Sequence, residues 1–161
     1  MSDDPSFAPS PLSSDISYKP PAVYGAFFLF GLLINLMWPI EILNFWAQIA
    51  IGLIGIGMGG GLVAWAIHTL KSAGTTFKLG APVSAFVRHG PYKFSRNPIY
   101  LGLSFMYISL CILFDAPIAA LLIVPLTMVM NRFVIAREEV FLKSRFGADY
   151  ERYLDVVSRW I

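Results

Sequence analysis

Charge is scarce in this sequence. Asp, Glu, Lys and Arg make up 14% of the 161 residues, and 57% are hydrophobic; a soluble domain carries about a quarter charged and about 45–50% apolar residues. Cysteine occurs once, at Cys111, inside an apolar run. A lone cysteine excludes an internal disulfide framework and a thiolate metal site, and in that setting it reads as a small buried hydrophobe. The two histidines, His68 and His89, are 21 residues apart, and outside the N-terminal tail the chain has one adjacent carboxylate pair, Glu138-Glu139. That set has no metal-ligand spacing, and no metal is expected. Neither a Ser-His-Asp set nor a Cys-His pair in polar sequence is present, so covalent catalysis has no candidate nucleophile. The composition is that of an integral membrane protein.

What the chain does have is long apolar runs. Residues 1–21 are rich in Pro, Ser and Asp and read as a mobile tail. They lack the basic-then-apolar order of a signal peptide, so the first hydrophobic helix is expected to be retained. Four apolar runs follow, at about residues 22–38, 43–70, 99–114 and 117–135. The second is long enough to span roughly 30 Å with tilt, and the others lie near or below the lower limit. The glycines of the second run (Gly52, Gly55, Gly57, Gly59, Gly60 and Gly61) read as small residues that let helix backbones approach closely. A nucleotide-binding reading of Gly57-Met58-Gly59 lacks its strand–turn–helix context. Asp115-Ala116-Pro117 predicts a tight reversal between the third and fourth runs, and Pro125 predicts a kink in the fourth. His68 reads as interfacial or packed.

Residues 136–161 change character. Gly147 suits the left-handed residue that ends a helix. Beyond it Tyr150, Tyr153, Leu154 and Val157 share one face of a further, amphipathic helix. The expected fold is therefore all-α: about four transmembrane helices, the third and fourth a tight hairpin, with a C-terminal amphipathic cap. Residues 22–161 form one domain in this reading, with a polar connector at 71–98 and a tail at 136–161.

The charges that exist are segregated. All twelve Lys and Arg residues lie in three segments: Lys19; Lys71, Lys78, Arg88, Lys93 and Arg96; Arg132, Arg137, Lys143, Arg145, Arg152 and Arg159. The other side of a four-span arrangement holds Glu41 and Asp115. The positive-inside rule puts both termini, the connector and the cap in the cytoplasm, at the inner membrane of a bacterium or the endoplasmic reticulum of a eukaryote. Topology accounts for the basic residues, and no nucleic-acid partner is expected. Oligomeric state is not encoded in any motif.

The polar stretch from Arg88 to Gly102 (Arg-His-Gly-Pro-Tyr-Lys-Phe-Ser-Arg-Asn-Pro-Ile-Tyr-Leu-Gly) lies between apolar runs. Unpaired polar groups at a lipid boundary are costly unless they line a site. Arg96 and Asn97 suit a carboxylate, Glu138 and Glu139 an ammonium, and tyrosines a flat heterocycle. By residue type alone, a zwitterionic adenine-bearing cofactor and a set of juxtamembrane anchors and salt bridges both remain open.

Residues 74–160 resemble the isoprenylcysteine carboxyl methyltransferase / phospholipid methyltransferase family of membrane enzymes. The pieces are Ala73-Gly74-Thr75-Thr76-Phe77, His89-Gly90-Pro91-Tyr92-Lys93, Ser95-Arg96-Asn97-Pro98-Ile99-Tyr100-Leu101-Gly102, Arg137-Glu138-Glu139 and Phe146-Gly147-Ala148-Asp149-Tyr150-Glu151-Arg152-Tyr153. The resemblance implies S-adenosylmethionine bound at the cytoplasmic face and a lipophilic acceptor (an isoprenylcysteine carboxylate, a phospholipid amine or a similar molecule) arriving from the bilayer. Carried over, His89, Gly90 and Tyr92 form one cofactor wall. Arg96, Asn97, Pro98 and Tyr100 form another, with Gly102 permitting close backbone approach, and Glu138 or Glu139 holds the methionyl ammonium. Many relatives have His where this chain has Asn97, which cannot titrate near neutral pH; no catalytic base is assigned, and Arg96 and Asn97 are expected to position. The competing readings are an NADPH-dependent sterol- or steroid-reductase-like enzyme, which shares an Arg-x-Pro-x-Tyr turn, and a non-enzymatic membrane scaffold.

Overall fold

The computed structural model describes residues 19–75 and 86–161; the N-terminal tail and the Gly80-Ala81-Pro82 part of the connector lie outside the described residues. The described residues form five helices and no strand: α1 (Pro20–Met37), α2 (Phe45–Ser72), α3 (Pro98–Leu113), α4 (Pro117–Phe146) and α5 (Ala148–Val156). Three of them, α1, α2 and α4, are long and apolar enough to cross a membrane. Helix α3 has 16 residues, about 24 Å at 1.5 Å per residue. Leu29, Phe30, Leu33 and Leu36 of α1, Phe45, Trp46, Ile54 and Met58 of α2, and Leu121 and Met128 of α4 are all exposed. That much apolar surface suits lipid rather than water.

Each helix begins where the sequence supplies a starter. Proline stands at the first positions of α1, α3 and α4, where its missing N–H costs nothing. Asn44 caps α2 by accepting the Ala47 N–H at 3.0 Å. Helix α3 is the most enclosed. Tyr100, Tyr107 and Cys111 on it are buried together with Leu126, Met130, Val134 and Ile135 of α4. Helix α2 meets α3 through glycine: a Cβ on Gly59 would stand 2.7 Å from the Gly102 carbonyl oxygen, and one on Gly102 2.8 Å from that of Gly59. Only Gly at both positions lets the backbones come this close. Gly52 and Gly55 also face α3, whereas Gly57, Gly60 and Gly61 meet nothing within 4 Å.

The reversal between α3 and α4 is as tight as Asp115-Ala116-Pro117 predicts. Asp115 takes φ +44°, and the Tyr107 hydroxyl donates to the Ala119 carbonyl at 2.6 Å, fastening the hairpin. The Asp115 carboxylate accepts the Ile42 N–H at 2.9 Å and its carbonyl accepts from Asn35 Nδ2 at 3.3 Å, so this acidic residue also ties α1 and the following loop to the turn.

Helix α4 departs from its expected end near residue 135. It breaks briefly at Leu122, where Pro125 supplies no N–H and its ring displaces the carbonyl four residues earlier. It then passes through a π-helical turn, Met130–Ile135, and continues as Ala136–Phe146. The apolar run stops at residue 135 but the hydrogen-bonded helix does not, because Arg137, Glu138 and Glu139 are good helix formers. Gly147, at φ +51°, ends it and starts α5.

Candidate functional site

The site is assembled where the segment before α3, the last turns of α4 and the chain after α5 meet. It begins with a 3₁₀ turn, Gly90–Lys93, pulled against α2. Gly90 has φ +61°, and a Cβ there would stand 2.9 Å from Thr69 Oγ1. Glycine is required on both counts. Pro91 is buried, and its carbonyl accepts the N–H groups of Phe94 and Ser95. From the other side, the Tyr153 hydroxyl of α5 donates to the Tyr92 carbonyl at 2.6 Å. Phe86 packs against Phe146, Tyr150 and Tyr153, so aromatic contacts seat α5 on the connector.

Residues 95–97 form the next layer. Ser95 Oγ accepts the Asn97 N–H at 3.1 Å, and the Asn97 side chain does not cap the start of α3. Asn97 Nδ2 instead donates to the Arg159 carbonyl at 3.0 Å, Ser95 Oγ donates to the same oxygen at 3.3 Å, and the Arg96 N–H donates to the Ser158 carbonyl at 3.0 Å. Three successive residues thus hold a strap at 158–160. Trp160 fixes its far side by donating Nε1–H to Asn131 Oδ1 at 3.2 Å, in the π-helical turn of α4.

The charged groups lie beneath this strap. Arg159 grips Glu139 with two donors, Nε to Oε1 at 3.1 Å and Nη2 to Oε2. Arg96 reaches the same carboxylate by one contact, Nη2 to Oε1 at 3.5 Å. The Arg96 side chain is 14% exposed and that of Glu139 16%. Arg96 Nε is buried and donates to nothing among the described residues. An unspent buried donor costs about 1–3 kcal/mol, so this one calls for a partner beyond the described residues. Glu138, one residue before Glu139, accepts the Tyr100 hydroxyl at 2.7 Å on Oε1.

Electrostatics follow burial. The Tyr92 phenol is pushed above its ordinary range by burial and then by Tyr153 and Glu138. Burial also raises Tyr150, and raises Tyr153 to about 12 against the lowering influence of Arg96. These phenols stay neutral in the physiological range. Arg159 is held above its usual value, first by its hydrogen bond to Glu139.

Of the residues singled out in the sequence, Arg96, Asn97, Tyr100, Glu138 and Glu139 come together, and Tyr92 joins them through its carbonyl. Pro98 is buried as the first residue of α3. His89 is exposed. Gly102 allows a close backbone approach, but to α2 rather than to a ligand: its missing Cβ faces Gly59 and Val63. His68 is exposed, and no group of three metal-ligating side chains occurs among the described residues. The sequence alone does not bring Arg159, Ser95, Trp160 and Asn131 into the site. An Arg-Trp pair after an amphipathic helix reads locally as a membrane anchor, and no spacing rule ties it to Ser95 and Asn97, 64 and 62 residues earlier.

Comparison with known proteins places the chain. Over 63 residues it is 36% identical to an uncharacterised protein of Haemophilus influenzae, a stretch that covers 39% of this chain and all of that protein. No solved structure matches it. The family model for phospholipid methyltransferases matches residues 47–149, which takes in all but the first two residues of α2, the connector, α3, α4 and the start of α5. With well over half of its length matched, the chain belongs to the phospholipid methyltransferase family.

Proposed function

We propose that this protein transfers the methyl group of S-adenosylmethionine to a lipophilic acceptor at the cytoplasmic face of its membrane. The observation that carries the reading is the buried Nε of Arg96, unspent among the described residues, beside a partly buried acidic pair. A zwitterionic amino-acid group needs a donor for its carboxylate and an acceptor for its ammonium, and this site offers both. Arg96 Nε takes the carboxylate. Glu138 takes the ammonium, because Glu139 is already gripped by Arg159 and Arg96 whereas Glu138 accepts only the neutral Tyr100 hydroxyl among the described residues. In this reading Tyr92 flanks the bound cofactor from the 3₁₀ turn with His89 and Gly90, and Asn97 and Pro98 support the site from the start of α3.

When bound, S-adenosylmethionine supplies an already electrophilic sulfonium methyl, so the protein's own residues need to position and to exclude water. Arg96 and Glu138 fix the amino-acid end, and the strap at 158–160 covers the charged groups. No residue is assigned as a base: a carboxylate acceptor needs none, and an amine reacts once deprotonated. Family membership favours a phospholipid amine as acceptor, with a prenylcysteine carboxylate as the alternative. In the membrane, α3 and α4 pair as a hairpin and four crossings keep every Lys and Arg on the cytoplasmic side, with α5 as a cap there.

The test is transfer of labelled methyl from S-adenosylmethionine, in proteoliposomes, to phosphatidylethanolamine and to a prenylcysteine analogue. Label entering one acceptor with the wild-type protein, and not with Arg96→Met, supports the reading. Absence of label in every lipid fraction, together with reduction of a sterol by NADPH, contradicts it.

A further inference from the structure

Two guanidinium groups, from Arg96 and Arg159, converge on the single carboxylate of Glu139, and they share it unequally. Arg159 makes the two-donor contact through Nε and Nη2, while Arg96 is left with one 3.5 Å contact through Nη2 and a buried, unspent Nε. A guanidinium and a carboxylate brought this close favour the paired two-donor geometry. With Arg159 absent, nothing else among the described residues would hold Glu139 away from that arrangement with Arg96. The unequal sharing is imposed from outside the charged cluster, because the Arg159 main chain is clamped by Ser95 Oγ and Asn97 Nδ2 on its carbonyl, with the Ser158 carbonyl held by the Arg96 N–H.

We infer that Arg159 is a positioning residue that occupies Glu139 so that the Nε edge of Arg96 stays available to the carboxylate of the ligand's amino-acid group. The inference rests on the reading of the site as one for S-adenosylmethionine, and adds to it a residue that touches neither the ligand nor the reacting atoms. Ser95 and Asn97 acquire a role as well. They set where the Arg159 side chain starts, so their hydrogen bonds act on the ligand through three intervening side chains, those of Arg159, Glu139 and Arg96. Asn97 then serves as an amide donor to the strap, a role that needs no titration and so suits Asn.

The inference makes an unusual demand on a double variant. Arg159→Met keeps a long apolar stem and the clamped main chain but frees Glu139 to capture Arg96. Affinity for S-adenosylhomocysteine, measured by calorimetry on detergent-solubilised protein, should fall roughly ten- to a hundred-fold, the range associated with one charged hydrogen bond. Adding Glu139→Gln to that variant removes the captor. The double variant should then regain most of the lost affinity, and Arg159→Lys alone, a charge without the planar two-donor fork, should lie between. If Arg159 merely braced the fold, the second substitution would deepen the loss. A double variant as weak as Arg159→Met, or an Arg159→Met that binds like wild type, overturns the inference and leaves the functional reading standing. Failure of the wild-type protein itself to bind S-adenosylhomocysteine overturns both.

Discussion

The Tyr100 hydroxyl donates to Glu138 Oε1 at 2.7 Å, joining the first turn of α3 to the last part of α4 beside the charged cluster. Tyr100 is in turn fixed from α1: Tyr24 and Ser104 share a hydrogen bond at 2.8 Å, and Ser104 Oγ donates to the Tyr100 carbonyl at 2.9 Å. Glu138 is therefore aimed by a neutral neighbour and makes no ion pair among the described residues. Tyr100→Phe should weaken S-adenosylmethionine binding by about three- to ten-fold, the worth of a neutral hydrogen bond, and Glu138→Gln by ten-fold or more. Calorimetric titration checks both, and an effect of Tyr100→Phe larger than that of Glu138→Gln would contradict the order.

The glycines of α2 and α3 divide by what they face. Gly102→Ala puts a methyl group 2.6 Å from Val63 Cγ2 and 2.8 Å from the Gly59 carbonyl oxygen. It should destabilise the protein by about 1–3 kcal/mol through overpacking. Gly60→Ala meets nothing within 4 Å and should be neutral or stabilising by up to about 1 kcal/mol through helix propensity. Thermal unfolding in detergent distinguishes them; equal midpoints for the two variants would contradict the α2–α3 packing.

Asn97 donates to the strap, so its variants should sort by donor capacity. Asn97→Leu removes the hydrogen bond to the Arg159 carbonyl and should cost about 1–2 kcal/mol of stability, with a several-fold loss of methyl transfer. Asn97→Asp should be worse, since it sets a carboxylate against a carbonyl oxygen. Asn97→His keeps an N–H and should retain most of the function. The comparison is read from unfolding midpoints and labelled-methyl rates, and an Asn97→Asp variant equal to wild type in both would contradict the assignment.

Alkaline conditions should loosen the seat of α5. Burial raises the Tyr153 phenol to about 12 from an ordinary value near 10. A proton held more tightly in the folded than in the unfolded state contributes stability that is fully present below about pH 10 and is lost as pH rises towards 12. The Tyr153→Phe variant should be less stable at neutral pH, by about 1 kcal/mol for the lost hydrogen bond to Tyr92. Its stability should also decline less steeply between pH 10 and 12. Unfolding followed by circular dichroism across that window would show parallel curves if Tyr153 took no part.

Several features could be read from the sequence because they have local causes. Apolar runs gave the long helices, Asp115-Ala116-Pro117 the reversal, and Gly147 the end of α4; the glycines of residues 52–61 signalled a close helix contact without naming its partner, and only Gly52, Gly55 and Gly59 make it. The residues of the charged cluster were also visible as types, since arginine and glutamate next to lipid are conspicuous. Their pairing was not. Glu138 and Glu139 are adjacent and chemically alike; which of them Arg159 grips is decided by a strap whose clamps lie more than 60 residues away in sequence. The continuation of α4 past residue 135 was hidden for a related reason: the end of an apolar run marks a change of surroundings, not the end of a hydrogen-bond ladder. Gly102, expected to let the backbone approach the cofactor, is required instead by its contact with Gly59 and Val63 of α2.

The most direct measurement is equilibrium binding of S-adenosylmethionine and, separately, NADPH to purified wild-type protein and to Glu138→Ala. The wild type should bind S-adenosylmethionine and not NADPH, and Glu138→Ala should lose that binding while unfolding cooperatively like the wild type. Binding of NADPH in its place, or a Glu138→Ala variant that binds S-adenosylmethionine as tightly as the wild type, would contradict the reading.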